Sequence, residues 1–451
     1  MEQLKKLNRK NNISRSIRAM QFLAALCCLC CSMRVIAQPS ARVDSSKLIT
    51  VVLERANEVA GGEFVDSTVV PPYREDTRSA IGNVLFRETT TAVECDTAVQ
   101  FLLSRKIRVV GNVRIARDSV LITGYEGVYF PDERRSELRK DVALTDTKVY
   151  LSSERGVYYA NDQRAVFSQD VVLQDSLNVV LADSLVYFRR DARSVIVGKV
   201  RILNAADNVR IKGGYAEHFN ARNYSFIQED PVMIKIDSTS QGTVDTLTIR
   251  ALRMDSFRSD KDSVPRIVIK DSVRIRRGEL AAKSTNAVYR LKDQKIILYG
   301  RPIVWYEGSQ LTGDSIVVQL KEQNKKNRID KVFIYRNAFL VSKDSLDKSG
   351  KKFSQVSGND MVITFDSTSK ILRADVYKQA LSLYYAYDGT KPRGANVSSG
   401  DGLSIFFEDN RVKKIIFRGD VEGEQYPERL LGRKDLNLPG FQWRISEKPN
   451  E

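Results

Sequence analysis

Histidine is all but missing from this chain: His218 is the only one in 451 residues, so the commonest general base and metal ligand is available at one place. Cysteine is scarce where it would matter. Cys27, Cys28, Cys30 and Cys31 lie in an N-terminal apolar run, so a processed chain keeps Cys95 alone and can form no intramolecular disulfide. That apolar run, Phe22 to Cys31, is shorter than the ~20 residues that span a bilayer, and Arg34 interrupts its end. Also missing are a nucleophile paired with a base, metal-ligand spacing, and a glycine loop able to cradle phosphate. These gaps argue against an enzyme and give no reason to expect a cofactor or a metal.

What is present is a repeat. Gly82-Asn83-Val84-Leu85-Phe86, Gly111-Asn112-Val113-Arg114-Ile115, Lys140-Asp141-Val142-Ala143-Leu144, Gln169-Asp170-Val171-Val172-Leu173 and Gly198-Lys199-Val200-Arg201-Ile202 place their valines 29 residues apart through four steps. A second phrase travels with the first: Cys95-Asp96-Thr97-Ala98-Val99, Gly124-Tyr125-Glu126-Gly127-Val128, Ser153-Glu154-Arg155-Gly156-Val157 and Ala182-Asp183-Ser184-Leu185-Val186. Val113 and Ile115 flank Arg114, and Val120 and Ile122 alternate in the same way, which is the two-residue period of a half-buried strand. Turn clusters such as Pro131-Asp132-Glu133 separate the runs. The unit is therefore all-β. Its acidic residues recur at the same places in every unit, whereas a polysaccharide-cleaving β-helix needs a localised carboxylate cluster that breaks the repeat.

The periodicity assigns an interior line to Val113, Ile115, Val142, Leu144, Val171, Leu173, Val200 and Ile202, joined by Ile122, Leu151, Val180 and Ile211. Whether Tyr129 and Tyr187 or Phe130 and Phe188 turn inward stays open. His218 stands where sister units carry Tyr129, Tyr158 and Tyr187 and reads as a polar strand residue, not a ligand.

Residues 1–37, with a basic leader and Val35-Ile36-Ala37 before Gln38, read as a cleaved secretory signal. A lipid-modified cysteine is the weaker alternative, because Leu or Cys precedes each candidate. Residues 38–80 admit a capped helix over Asp44 to Ala60, but the β-rich Leu48-Ile49-Thr50-Val51-Val52 favours a degenerate capping unit, with Pro71-Pro72 as a stiff connection. Regular repeats occupy 81–236. Repeats with longer spacers occupy 237–423, their extra residues falling in polar patches at Asp237 to Asp245, Lys343 to Lys352 and Asp388 to Asn396 that are expected as exposed loops. Asp255 to Asp262 lacks the glycine and final glutamate of a calcium loop and reads as a solvated one. The tail 424–451 breaks the pattern. Its Phe441 and Trp443 either cap the array or meet a partner.

The formal charge is +16, and about +10 of it remains after the first 37 residues, a balance that favours anionic partners. The cations are spread over all units, and the signal sends the chain out of the cytoplasm, so nucleic acid is not the expected partner.

The repeated Gly-Asn-Val-x-Ile and Gly-Asp-x-Ile-x-Val phrases resemble the OstA or LptA-like periplasmic proteins of lipopolysaccharide transport. Ile81-Gly82-Asn83-Val84-Leu85-Phe86 with Cys95-Asp96-Thr97-Ala98, and the closing Gly440-Phe441-Gln442-Trp443-Arg444, are similar to the longer OstA-like proteins of Bacteroidetes. The resemblance implies an elongated antiparallel β-jellyroll of stacked V-shaped repeats, open along one edge, whose apolar interior shelters acyl chains. About ten units at two strands each would give a rod roughly 100 Å long. It further implies a Gram-negative periplasmic location, possible association with the outer membrane, lipopolysaccharide or a similar anionic glycolipid as ligand, and other envelope transport proteins as partners, joined end to end through edge strands. A passive envelope scaffold or adhesin of the same repeats is the alternative.

Overall fold

The computed structural model describes residues 50–449, apart from 147–148, 176–177, 205–207, 239–243, 259–264, 324–325, 367–369, 409–410 and 432–434. The expected signal at 1–37 lies outside the described residues. The 28 strands found among the described residues belong to one hydrogen-bonded sheet. Pairing is antiparallel between successive strands: Ile107–Arg117 with Val120–Phe130, then Arg135–Thr145, Tyr150–Tyr159, Arg164–Gln174, Asn178–Phe188 and Arg193–Asn204. A 29-residue repeat is thus two strands and their turns. No α-helix occurs among the described residues. The fold is the all-β antiparallel stack expected.

The first phrase marks a bend. The two residues before its valine have positive φ: Gly111 (79°) and Asn112 (46°), Lys140 (63°) and Asp141 (53°), Gln169 (68°) and Asp170 (52°), Gly198 (79°) and Lys199 (44°). Register slips at each, so that Val110 faces Glu126 while Val113 faces Gly124, leaving two residues opposite one. Such a β-bulge bends its strand into two arms. The same pair of left-handed residues recurs at Glu229-Asp230, Asp271-Ser272, Gly300-Arg301, Arg336-Asn337, Lys378-Gln379 and Gly419-Asp420.

The second phrase receives the bend. Its small residues Gly124, Ser153, Ala182 and Gly213 stand opposite Val113, Val142, Val171 and Val200. Its carboxylates brace the corner: Asn112 Nδ2 donates to Asp96 at 2.8 Å, Asn337 Nδ2 donates to Asp314 at 3.0 Å, and Lys199 Nζ lies 3.6 Å from Asp183. A Cβ on Gly111 would fall on the Asp96 carboxylate, so this glycine answers both to its backbone angle and to its neighbour. The recurring acids are structural supports of the bends.

Several sequence expectations need correction. From residue 52 onward the helix considered for Asp44 to Ala60 is replaced by strands Val52–Arg55 and Glu58–Asp66, both paired to Tyr73–Glu88. Pro71-Pro72 lies in the loop of that hairpin and connects no separate cap. The boundary after residue 80 falls inside Tyr73–Glu88, and those after 236 and 423 fall inside Val232–Ser238 and Glu422–Pro427. Backbone pairing runs through all three, so the array has no joint there. Asp388 to Asn396 is no exposed loop: Ile371–Asp388 and Lys391–Glu408 pair up to Asp388 and Lys391, leaving only Gly389-Thr390 to turn. Of Lys343 to Lys352, all but Lys343 leave the sheet, and their turn is held by Asp347, whose carboxylate accepts from the backbone of Ser349, Lys351 and Lys352. Asp237 to Asp245 pairs at both ends around residues outside the description. Asp255, first of the solvated-loop residues, is instead 1% exposed on a strand and paired with Arg253 and Lys270 at 2.9 Å.

The tail folds back on the outer face of the later strands. After the Arg336-Asn337 bend, Ala338 and Leu340 face the main core while Phe339 and Val341 face the opposite side, where they cluster with Leu383, Ala395 and Leu438. Phe441 and Trp443 cover that face, with ring centroids 5.6 and 5.0 Å from Phe353. Two buried amides fasten the strap. Gln355 accepts from Leu438 N at 2.9 Å, and Gln310 both donates to the Gln442 carbonyl and accepts from Arg444 N at 2.7 Å. Buried amides without these partners would each be costly. Further along, Lys283 Nζ donates to Glu447 at 2.8 Å and Arg276 to the Pro449 carbonyl at 3.0 Å. Phe441 and Trp443 therefore pack on the chain itself.

Candidate functional site

Two rows of inward side chains run across the strands, one on each arm. The first is apolar throughout: Ile115, Ile122, Leu144, Leu151, Leu173, Val180, Ile202 and Ile211 are successive cross-strand partners. All eight were sequence candidates. The other four, Val113, Val142, Val171 and Val200, sit beside the bends and are at most 1% exposed. All twelve face the interior of one arm, as a two-residue alternation counted from each repeated valine requires.

The second row decides where the interior is full. It reads Ile107, Tyr129, Ser136, Tyr158, Ala165, Tyr187, Ser194, His218, Ser225, Ser256, Ile267, Tyr289, each opposite the next. Large tyrosines alternate with small residues until Tyr187, then four small or polar residues follow before Ile267. The tyrosines fill the space between the arms. Tyr129 and Tyr187 end on carboxylates, Glu88 and Asp146, which satisfies their hydroxyls away from water. Among Ile115, Val120, Ile122, Tyr129 and Tyr158 the residual space is only about 10 Å³, room for a single water. Near Ile275, Leu298 and Val318 it is about 20 Å³.

Between these closed stretches lies a cavity of about 540 Å³. Its walls include Leu173, Val180, Ile202 and Ile211 from the apolar row and Ser194, His218, Ser225 and Ser256 from the other. Replacing tyrosine by His218 and Ser256 removes the side chains that plug the equivalent space elsewhere. Lys235, Arg258 and Lys292 also border it, putting cations beside an apolar hollow. His218 Nδ1 and Ser225 Oγ are 2.8 Å apart. Burial holds the imidazole below its usual range, reinforced by the Arg258 charge and opposed by Asp175, so the ring is neutral at pH 7. The volume lies within the 300–1,000 Å³ of small-molecule sites, roughly.

Four of the twelve sequence candidates thus line open space, and eight are packed by their neighbours. The inward aromatic was the missed element. Tyr129, Tyr158, Tyr187 and Tyr289 are 8% exposed or less, whereas Phe130, Tyr159 and Phe188 lie outside beneath the guanidiniums of Arg135, Arg164 and Arg193 at 3.9, 4.3 and 5.5 Å. Those arginines recur every 29 residues. That spacing was the available signal for the outer face.

Fold and site together define a class: a bent, bulged antiparallel β-array whose two arms enclose an apolar interior, closed around Ile122 and around Leu298 and hollow between them. Residues 50–153 match the family model described as OstA-like protein, and residues 238–324 match that of the LptA/(LptD N-terminal domain) LPS transport protein. On those two segments the chain is an OstA/LptA-like protein. A similar solved structure is LptH of Pseudomonas aeruginosa, the LptA homologous periplasmic component of a lipopolysaccharide transport device. It is 10% identical and covers 32% of this chain and 75% of its own, with a TM-score of 0.15, too low to bear on the argument. No curated protein matches the chain in sequence.

Proposed function

We propose that this chain shelters the acyl portion of lipopolysaccharide, or of a similar anionic glycolipid, in the periplasm of a Gram-negative bacterium as part of transport to the outer membrane. The carrying observation is the 540 Å³ hollow at the interruption of the tyrosine row, with an apolar wall of Leu173, Val180, Ile202 and Ile211 and with Lys235, Arg258 and Lys292 beside it. Each methylene moved from water into such a wall is worth about 0.8 kcal/mol, and phosphate oxygens beside the cations gain charge-assisted hydrogen bonds. The family membership of both matched segments supports the same reading. No covalent chemistry enters it. Envelope transport proteins are the proposed partners, meeting the array at its terminal strands, where Val59, Phe64 and Val65 of Glu58–Asp66 are exposed.

A photoreactive residue at 202 or 211 tests this in living cells. Crosslinking to lipopolysaccharide is expected there, with much less from 115 or 144 in the closed interior and none from Arg114 or Arg201 on the outer face. Equal yields from inner and outer positions would mean nonspecific contact. No crosslink from any position would leave the envelope-scaffold reading.

A further inference from the structure

The outer face beneath the end of the strap carries a second concentration of chemistry. Val244–Arg250 and Arg266–Arg277 turn Leu247, Ile249 and Ile275 into the core, so Arg250 and Arg274 project from the opposite face. Arg250 stands directly opposite Arg274, and Arg274 opposite Lys283 of Leu280–Arg290. Like charges placed opposite on neighbouring strands repel. Arg276 adds a third guanidinium one step along the same strand, opposite Thr248.

The strap builds a wall here. Glu447, Lys448 and Pro449 close one side of a hollow of about 650 Å³ whose other residues are Thr248, Arg250, Arg274, Arg276 and Lys283. Glu447 is committed to Lys283 and Arg444. Among the described residues no carboxylate lies within ion-pair distance of Arg250 or Arg274. Among the described residues, five cations therefore surround a walled space that contains one carboxylate, already engaged. Two adjacent guanidinium forks match the oxygens of a phosphate group, and the excess charge suits a multiply charged anion better than a single carboxylate.

We propose that Arg250, Arg274 and Arg276, walled by Glu447 to Pro449, form a phosphate-binding site on the outer face, separate from the interior hollow. It does not depend on lipid occupying the interior, because Arg250 and Arg274 leave the strands on the side away from it. The phosphate is carried either by a lipid headgroup or by a soluble phosphate ester.

The test compares the full chain with Arg250→Ser/Arg274→Ser and with Arg139→Ser/Arg155→Ser. The second pair is also an exposed cross-strand arginine pair, on Arg135–Thr145 and Tyr150–Tyr159, but borders no such hollow. Calorimetric titration with inorganic pyrophosphate at low salt should show binding that weakens by about tenfold or more in the first variant and changes by less than about twofold in the second. Equal losses in both variants, or no binding by the unaltered chain, would overturn the proposal. Thermal melts of both variants check folding, and because all four side chains are exposed neither should melt early. Flotation with phosphatidylcholine vesicles containing phosphatidylglycerol identifies the source. Flotation lost only in the first variant assigns a lipid headgroup, and pyrophosphate binding without flotation assigns a soluble ester.

Discussion

Gly111→Ala separates two reasons for a glycine at the bend. Gly111 and Gly308 both have φ of 79°, but a Cβ on Gly308 meets nothing within 4 Å whereas one on Gly111 falls on Asp96. Alanine in the left-handed region costs about 1–2 kcal/mol, partly offset by the ~0.4–1 kcal/mol that lost freedom in the unfolded chain returns. Gly308→Ala should therefore cost about 1 kcal/mol. Gly111→Ala also displaces Asp96 and breaks the 2.8 Å bond from Asn112, adding about 1 kcal/mol for the bond and more for the overlap. A total of about 2–3 kcal/mol follows. Because a repeat array opens locally, global melting is the wrong probe and hydrogen exchange of peptides covering 107–117 and 303–312 is the right one. In the Gly111→Ala background, Asp96→Ala should relieve the overlap but not restore the bond, so protection should recover only in part, to about 1 kcal/mol below that of Gly308→Ala. Equal protection losses at Gly111 and Gly308, or no recovery, would refute the account of the bend.

Restoring the tyrosine row with His218→Tyr/Ser256→Tyr should narrow the hollow, raise local stability by about 1–2 kcal/mol and reduce lipid crosslinking from 202 and 211. Crosslinking at the unaltered level would separate the lipid from the cavity. Since burial lowers the His218 pKa, the folded chain binds that proton less readily than the unfolded one. Its stability is intact above the unfolded value near 6.5 and declines as pH falls below it. His218→Asn should flatten the pH 7 to 5 portion of a denaturation series, and an unchanged slope would assign the dependence to other groups. Trp443→Ala removes a ring lying 5.0 Å from Phe353 and should loosen the strap by about 1–2 kcal/mol. Limited proteolysis should then cut within 428–449 first, and cutting elsewhere first would show that the strap is held mainly by its polar contacts. Cys95 is buried and its thiol is pushed up to about 12 by that burial, so a thiol reagent should modify it only on unfolding. Rapid modification of the native protein would contradict its placement.

The backbone angles at Gly111-Asn112, the small residue at Gly124 and the alternation through Val113 and Ile115 are local matters, and local chemistry is what a sequence displays. The 29-residue period, the strand class and the inward line from Ile115 to Ile211 were for that reason legible without coordinates. The left-handed pair was visible as a phrase yet not as a bend, because Lys140-Asp141 and Gln169-Asp170 carry no glycine to announce it. Asp388 to Asn396 was misread as a loop, since its polar composition hides that its neighbours extend the sheet. Phe441 and Trp443 could not be placed from the tail alone: their binding face is made by Phe339, Val341 and Leu383, which are brought together only by pairing across distant strands. The same holds for the hollow. His218 and Ser256 are 38 positions apart in the chain, and that both occupy one row, both in place of a tyrosine, depends on registers that shift at every bend. The sequence by itself determined the repeating unit and its apolar face, because those follow from residue type and spacing. Only the tertiary structure decided which layers are full and which are empty, because filled volume is a property of side chains from both arms at once.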